Sequence, residues 1–119
     1  MRVRFLDGPY PRMEFIELLP DWSPYSTLAV DLTNPTPLNL RLVLRVHDAM
    51  HTKQVEDRFN RAIELPAGTR TVIRIPLHEI AAGPRTRQLD LHQVAGLIIF
   101  RRDDSPPAGE LYLSRVWLE

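Results

Sequence analysis

The chain of 119 residues has no cysteine, no net charge and no long apolar segment. The absence of cysteine excludes disulfide bonds, thiolate metal sites and thiol nucleophiles, although it leaves the cellular compartment open. Fifteen basic and fifteen acidic residues cancel, so no overall field favours nucleic acid or anionic lipid as a partner. The longest apolar runs, such as VAGLIIF (94–100), are far shorter than the roughly 20 residues of a membrane helix, so we expect no direct membrane insertion by this segment.

The composition that remains is typical of an ordinary globular domain. Hydrophobic residues make up 44% and charged residues 25% of the chain, close to the averages of globular proteins. A domain of this size can bury roughly two thirds of its unfolded surface in one core. We therefore expect a single domain over residues 1–119.

Short runs with a period of two residues, separated by turn residues, are the main pattern and are typical of an all-β sandwich or barrel. In the clearest run, LNLRLVLRVH (38–47), Leu40, Leu42, Leu44 and Val46 alternate with other residues. Such alternation predicts a strand with one face in the core and one in water. The other predicted strands are RVRF (2–5), RMEFIEL (12–18), STLAVDLTN (26–34), RFNRAIEL (58–65), TRTVIRIP (69–76), AGLIIFRR (95–102) and ELYLSRVWL (110–118).

Two short helical turns are predicted in the connection between the strands TRTVIRIP (69–76) and AGLIIFRR (95–102). One spans Leu77 to Ala82 and is ended by Gly83-Pro84. Asp90 is placed to cap the other, LHQV (91–94). About eight strands, these turns and prolines concentrated in the connections predict an antiparallel β-sandwich of the jelly-roll type, with RVRF and RMEFIEL as a hairpin.

Four phrases stand in order along residues 21 to 118: DWSPYSTLAVDLTNPT, then LRLVLRVHD with DRFNR, then TRTVIRIPLHEI, then GLIIF with GELYLSRVWL. In this order the chain resembles galactose-binding-like β-jelly-roll domains, which include many carbohydrate-binding modules. It is also similar to sandwich domains appended to bacterial VanZ-like membrane proteins. The resemblance implies a domain excised from a larger extracytoplasmic or membrane-associated protein.

One departure from this resemblance concerns calcium. Many relatives end the last strand with YLDD, whose acid helps to hold a structural calcium ion. This chain has YLSR there, with Ser114 and Arg115. The departure argues against calcium at that place.

The stretch RVHDAMHTKQVEDRFNR (45–61) has the highest density of histidine, acidic, basic and amide side chains in the chain. His47 and His51 are four residues apart, which on a helix would suit a zinc site. However, His47 ends a predicted strand, residues 48–56 are predicted to form a loop, and no third ligand follows at a diagnostic interval. We therefore expect no metal site.

A catalytic acid and base can in principle be drawn from the same stretch. The candidates are His47, His51, Asp48, Glu56 and Asp57. Such a pair needs a cleft and a positioned substrate, and the chain has no GxSxG, HExxH, phosphate-loop or dinucleotide motif. We expect no enzymatic activity and no cofactor.

A third interpretation is a polar face that binds a ligand. Alternation turns Arg41, Arg45 and His47 away from the core. On the predicted strand 58–65, Arg58 and Asn60 have the parity opposite to Phe59, Ile63 and Leu65, so they also point away from the core. If the two strands are neighbours, these side chains form one hydrogen-bonding surface, which suits the hydroxyl groups of sugars.

The alternative is that the cluster is structural. Asp57 with Arg61, or Asp48 with Arg58, can form forked ion pairs that hold the connection between the two strands in one conformation. Arg61 shares the inward parity of Phe59, so it requires a buried acid or a bulge. The sequence alone leaves the ligand face and the structural network both open.

Aromatic residues can add a stacking platform for a sugar ring. Trp22 is predicted to be buried in the core, since indole burial contributes strongly to sandwich stability. Tyr112 has the parity opposite to Leu111 and Leu113 and is predicted at the surface. There it, or Tyr25, can stack against a ring.

Together these observations predict a non-catalytic module that binds carbohydrate or a cell-envelope glycan through one sheet face. The alternative is a structural or protein-interaction domain of a larger bacterial membrane or envelope protein, with other domains of the parent chain as partners. The predicted ligand-binding residues are Arg45, His47, Asp48, Asp57, Arg58, Asn60 and Tyr112. Nucleic acid is not an expected partner.

Overall fold

The computed structural model describes residues 2–6, 12–16, 19–50, 57–85, 87–102 and 111–119. Across these residues it contains eight strands in two antiparallel sheets, one short helix and one 3-10 turn. The strands are β1 (Arg2–Leu6), β2 (Arg12–Ile16), β3 (Thr27–Asn34), β4 (Leu40–Asp48), β5 (Phe59–Leu65), β6 (Thr69–Pro76), β7 (Val94–Arg101) and β8 (Tyr112–Leu118). The predicted all-β antiparallel sandwich is confirmed, and each predicted strand is found at nearly the same residues.

The two sheets follow the strand order of a jelly roll. The larger sheet has the order β1-β2-β7-β4-β5 and the smaller sheet has the order β6-β3-β8. Strand β7 therefore lies between β2 and β4, and β3 lies between β6 and β8, so neighbours come from distant parts of the chain, as in other double-sheet jelly rolls. Strands β1 and β2 pair as the predicted hairpin.

The core lies between the two sheets and is built by the alternation seen in the sequence. On β4, Leu40, Leu42, Leu44 and Val46 are buried, whereas the residues between them are half-buried or exposed. Strand β3 departs from simple alternation because it is central in the smaller sheet, so Asp31 on its outer face is also buried. Burial of each large aliphatic side chain contributes roughly 1.5–3 kcal/mol, which makes this layer the main source of stability.

Two short helical segments lie between β6 and β7. Helix α1 covers Leu77–Ala81, and the 3-10 turn covers Leu91–Gln93. The carboxylate of Asp90 accepts a hydrogen bond from the backbone N–H of His92 at 2.9 Å and so caps the 3-10 turn. Both predicted turns, and the predicted cap, are confirmed. No helix in the described part of the chain is long and apolar enough to cross a membrane.

A bulge shapes the end of β4. His47 is opposite Gly96 of β7, but Asp48 is opposite Val94, so β7 carries an extra residue at Ala95. An extra residue of this kind bends its strand and redirects the neighbouring side chains. Asp48 is thus the last residue of β4, and the prediction that it begins a loop was wrong.

Candidate functional site

The outer face of the larger sheet carries polar side chains that alternation places there. Arg45 on β4 lies between Ile98 on β7 and Asn60 on β5 in the strand register. The surface around this row mixes apolar and hydrogen-bonding side chains. We call it the β4 face, and it comprises Val43, Arg45, His47, Asn60, Gly96, Ile98 and Phe100.

A cation–π contact holds Arg45 against the sheet. Its guanidinium carbon lies 4.8 Å from the centroid of the Phe100 ring, and both side chains are half-buried. A contact of this type contributes roughly 0.5–1 kcal/mol at exposed sites and more when it is desolvated. It confines the long arginine side chain to one region of the β4 face and so reduces the entropy that ligand binding would otherwise cost.

The imidazole of His47 packs directly on Gly96. A Cβ atom built on Gly96 would lie 2.0 Å from Cε1 of His47, so only glycine leaves room for the ring there. The missing side chain lets the imidazole lie close to the backbone of β7. Packing against the backbone of Gly96 therefore fixes the position of the His47 ring.

Arg58 and Asn60 extend the β4 face on the side of β5. Asn60 is exposed and Arg58 is half-buried. Val46 is opposite Phe59, the first residue of β5, and Arg58 directly precedes it. The structure therefore brings together four predicted site residues on neighbouring strand segments: Arg45, His47, Arg58 and Asn60.

Asp48 and Asp57, by contrast, are turned into the protein, where both bind Arg87. They are only 1% and 5% exposed. Arg87 donates from Nη1 and Nη2 to Asp48 at 2.6 and 2.8 Å, and from Nε to Asp57 at 2.8 Å. We call these three side chains the Arg87 bridge. It joins the end of β4, the start of β5 and the segment that precedes β7.

The carboxylate of Asp48 is held by backbone donors as well. It accepts hydrogen bonds from the N–H groups of Met50 at 3.2 Å and Asp90 at 2.8 Å. The hydrogen bonds from Arg87 are the main reason why the pKa of Asp48 lies below its usual range, although burial acts in the opposite direction. The same contacts raise the pKa of Arg87. Both groups therefore stay charged, and the oxygens of Asp48 are engaged by the protein itself.

This pairing corrects the structural alternative drawn from the sequence. That alternative paired Asp57 with Arg61 and Asp48 with Arg58, whereas both carboxylates bind Arg87. An internal network of forked ion pairs does exist, but its arginine comes from a connection far along the chain. The two aspartates are therefore separated from the β4 face in structure, although they adjoin His47 and Arg58 in sequence.

Arg61 has the inward parity of Phe59, but its guanidinium extends beyond the edge of the sheet to the surface. It lies on β5, the outermost strand of the larger sheet, and its Nη2 donates to Glu79 of α1 at 2.8 Å. Its guanidinium also lies 5.4 Å from the centroid of the Phe59 ring. The partner is thus a surface acid on the helix, and neither a fully buried acid nor a bulge is involved.

Tyr112 lies on the other sheet. It belongs to β8, is opposite Thr33 of β3 and is 51% exposed, which confirms the predicted surface position. Because it is on the outer face of the smaller sheet, it does not join Arg45 and His47. Tyr25, the other platform candidate, is exposed in the connection that precedes β3.

Trp22 is buried, as predicted. It is 2% exposed, and its Nε1 donates to the backbone oxygen of Leu19 at 2.7 Å. A buried indole usually requires such a partner for its polar edge. Trp22 therefore acts as a fixed part of the core.

No group of three or more His, Asp or Glu side chains within the described residues is placed to hold a metal ion. His51 and Glu56, which entered the metal and catalytic hypotheses, lie outside the described residues. Asp48 and Asp57, two other candidates of the catalytic hypothesis, both bind Arg87.

Sequence reasoning missed three residues that shape the site. Phe100 and Gly96 were assigned only to an apolar strand, although Phe100 has the parity opposite to Leu97 and Ile99 and so faces outward. Arg87 lies in a connection with no periodic signal. The missing information in each case is which strands and connections are neighbours.

Comparison of the chain with protein-family models, with curated proteins and with solved structures finds no match in any of the three.

Proposed function

We propose that the protein is a non-catalytic module that binds carbohydrate on the β4 face. The observation that supports this best is the grouping of Arg45, His47 and Asn60 beside the half-buried Ile98 and Phe100. A sugar ring presents hydroxyl groups at its edge and an apolar layer of C–H groups on each side. A surface with hydrogen-bonding groups next to apolar side chains suits both features.

The Arg87 bridge lies next to the β4 face and can hold it in one conformation. Asp48 directly follows His47, and Asp57 directly precedes Arg58. Because Arg87 ties both carboxylates to one guanidinium, it holds the two strand ends together. A binding surface that is fixed before the ligand arrives loses less conformational entropy on binding.

We favour a glycan of the bacterial cell envelope as the ligand. This choice follows from the resemblance to sandwich domains of VanZ-like membrane proteins, which implies a parent protein at or outside the membrane. Tyr112 and Tyr25 are not part of the β4 face, so we assign the primary contacts to Arg45, His47, Arg58 and Asn60.

The test is a glycan array followed by titration calorimetry with the best ligand. Arg45→Lys keeps the charge but loses the planar fork, and Asn60→Ala removes an amide, so each is expected to weaken binding by about five- to thirtyfold. Gly96→Ala is expected to abolish binding because the new Cβ displaces the His47 ring. Gln93→Ala, an exposed change on the 3-10 turn, is the control and leaves the affinity unchanged.

Absence of binding to any glycan, with the fold intact by circular dichroism, would overturn the proposal. The second candidate function would then be a structural or protein-interaction domain. The Arg87 bridge favours it, since part of the polar cluster serves the fold itself. In that case the β4 face would be expected to bind another domain of the parent chain.

A further inference from the structure

Arg58 differs from several other arginines of the domain in its partners. It is half-buried, and its buried Nε has no hydrogen-bond partner among the described residues. A charged group that is partly withdrawn from water is normally paired or hydrogen-bonded. Other arginines follow this rule, since each forms an ion pair with a carboxylate: Arg41, Arg61, Arg70, Arg74 and Arg87.

The acids that the sequence offers to Arg58 are bound elsewhere. Asp57 directly precedes Arg58, but it accepts hydrogen bonds from Nε and Nη2 of Arg87 at 2.8 and 3.2 Å. Asp48, which the sequence pattern also allowed to pair with Arg58, accepts from the same guanidinium at 2.6 and 2.8 Å. Both carboxylates are buried. The fold therefore directs these two acids to Arg87 and away from Arg58.

The surroundings of Arg58 indicate what kind of ligand would bring the missing countercharge. Arg58 directly precedes β5 and is two residues from Asn60, about 6–7 Å along an extended strand. Asn60 is exposed and lies opposite Arg45, which in turn lies opposite Ile98. Guanidinium, amide and apolar groups on one side of the sheet fit a sugar with an anionic substituent better than a bare ion.

We propose that the β4 face binds an anionic sugar, with its carboxylate or phosphate group held by Arg58 and its hydroxyl groups by Asn60. The guanidinium fork matches both anions, since it donates two parallel hydrogen bonds to their oxygens. The anion supplies the countercharge that Asp48 and Asp57 give to Arg87 instead. This inference rests on the proposed carbohydrate binding and adds the charge of the ligand to it.

The test compares sugars that differ at C6. Galactose, galacturonate and galactose 6-phosphate carry a hydroxymethyl group, a carboxylate and a phosphate ester there, and the glucose series is tested in parallel. NMR titration follows the amide signals of β4 and β5 and the Nε–H signal of Arg58. At least one anionic sugar is expected to bind about five- to thirtyfold more tightly than its neutral parent, as for a charge-assisted hydrogen bond. The tighter of the two anionic sugars identifies the group as carboxylate or phosphate.

Two arginine variants locate the anion. Arg58→Gln keeps a hydrogen-bonding side chain but removes the charge, so the affinity ratio between anionic and neutral sugar should fall below about twofold. Arg115→Gln is the matched control, because Arg115 is exposed on β8 of the smaller sheet, opposite Asp31. It removes the same charge elsewhere and should leave the ratio at its wild-type value.

Neutral sugars or neutral array glycans that bind as tightly as anionic ones would overturn this inference and leave the proposed carbohydrate binding intact. If no sugar of either charge changes the signals of the β4 face, and no glycan binds on the array, the proposed function fails as well. Acetate or inorganic phosphate binding as tightly as the anionic sugars would show a site for a bare ion instead.

The role of Arg58 is refuted if Arg58→Gln, folded by circular dichroism, keeps the wild-type affinity ratio. If this variant does not fold, the Nε–H signal of Arg58 in the wild-type protein decides. It should shift on titration with the preferred anionic sugar, and an unchanged signal at saturation would place the anion elsewhere.

Discussion

Arg87 provides the countercharge for the buried carboxylate of Asp48 and also binds that of Asp57. The side chains of Asp48 and Asp57 are 0% and 7% exposed, while Arg87 itself is 28% exposed. Charged groups at such positions are tolerated only when they are paired and hydrogen-bonded. The guanidinium fork meets this condition for both carboxylates at once.

We expect Arg87→Ala to lower the free energy of unfolding by about 3 kcal/mol, because it removes the guanidinium that pairs with the buried carboxylate of Asp48. For a domain of this length the corresponding fall in Tm is on the order of 10 °C. Arg58→Ala is the matched control. The buried Nε of Arg58 has no hydrogen-bond partner among the described residues, so a loss below about 1 kcal/mol is expected there. Thermal and urea denaturation measure both, and equal losses would contradict the role assigned to the bridge.

The sequence predicts the direction of the Asp48 side chain in this bridge, but not its partner. Asp48 shares the parity of Leu44 and Val46, so strict alternation already places it on the inner side of β4. The identity of its partner was not predictable, because Arg87 is 39 residues away and lies two residues after Arg85 in a connection without periodicity. Local pattern determines which way a side chain faces, but long-range topology determines what it meets.

At the scale of elements, strand alternation was predictable and strand pairing was not. The inward residues of β4 are buried as the pattern indicates, and Asp90 caps its turn as expected. However, the pattern does not indicate that β7 inserts between β2 and β4, and this insertion brings Gly96 and Phe100 to His47 and Arg45. Three of the seven residues that define the β4 face therefore come from a strand that is distant in sequence.

Asn34 links two connections of the sandwich. It is fully buried at the end of β3, and its Nδ2 donates to the carbonyl oxygens of Leu38 at 2.7 Å and Leu65 at 3.0 Å. Its Oδ1 accepts from the backbone N–H of Thr36 at 3.0 Å. One amide thereby fastens the β3–β4 connection to the end of β5, which belongs to the other sheet.

We expect Asn34→Ala to lower the free energy of unfolding by about 3 kcal/mol, since it removes the buried hydrogen bond to the oxygen of Leu65 together with the part-buried ones to Leu38 and Thr36. Asn39→Ala is the matched control. Asn39 is exposed and accepts a hydrogen bond from the N–H of Ala67 at 2.9 Å, so a loss of about 0.5–1.5 kcal/mol is expected. Urea denaturation of the two variants makes the comparison. An Asn34→Ala protein as stable as Asn39→Ala would show that the linkage is dispensable.

At the scale of the whole molecule, the proposed ligand site and the contacts that hold the fold together lie in different places. The β4 face lies on the outer side of the larger sheet. The Arg87 bridge and Asn34, by contrast, hold strand ends and connections.

Two buried aspartates predict how the stability of the whole domain responds to acid. Hydrogen bonds from Arg87 lower the pKa of Asp48, and hydrogen bonds from Arg70 lower that of Asp31. When the folded-state pKa lies below the unfolded value of about 3.9, the contribution to stability is complete above that value. It is lost as the pH falls through the folded-state pKa. These two groups therefore leave stability almost unchanged from pH 7 to about pH 5 and reduce it steeply below about pH 4.

We expect the free energy of unfolding from urea denaturation to follow this profile in the wild-type protein. Asp48→Asn should be less stable at pH 7, because it loses the charge that Arg87 binds, and its stability should fall less between pH 5 and pH 3. Glu64→Gln, a change at an exposed residue of β5, should retain the wild-type acid dependence. If Asp48→Asn loses as much stability in acid as the wild-type protein, protonation of Asp48 does not drive the acid transition. The dependence would then have to arise from other carboxylates.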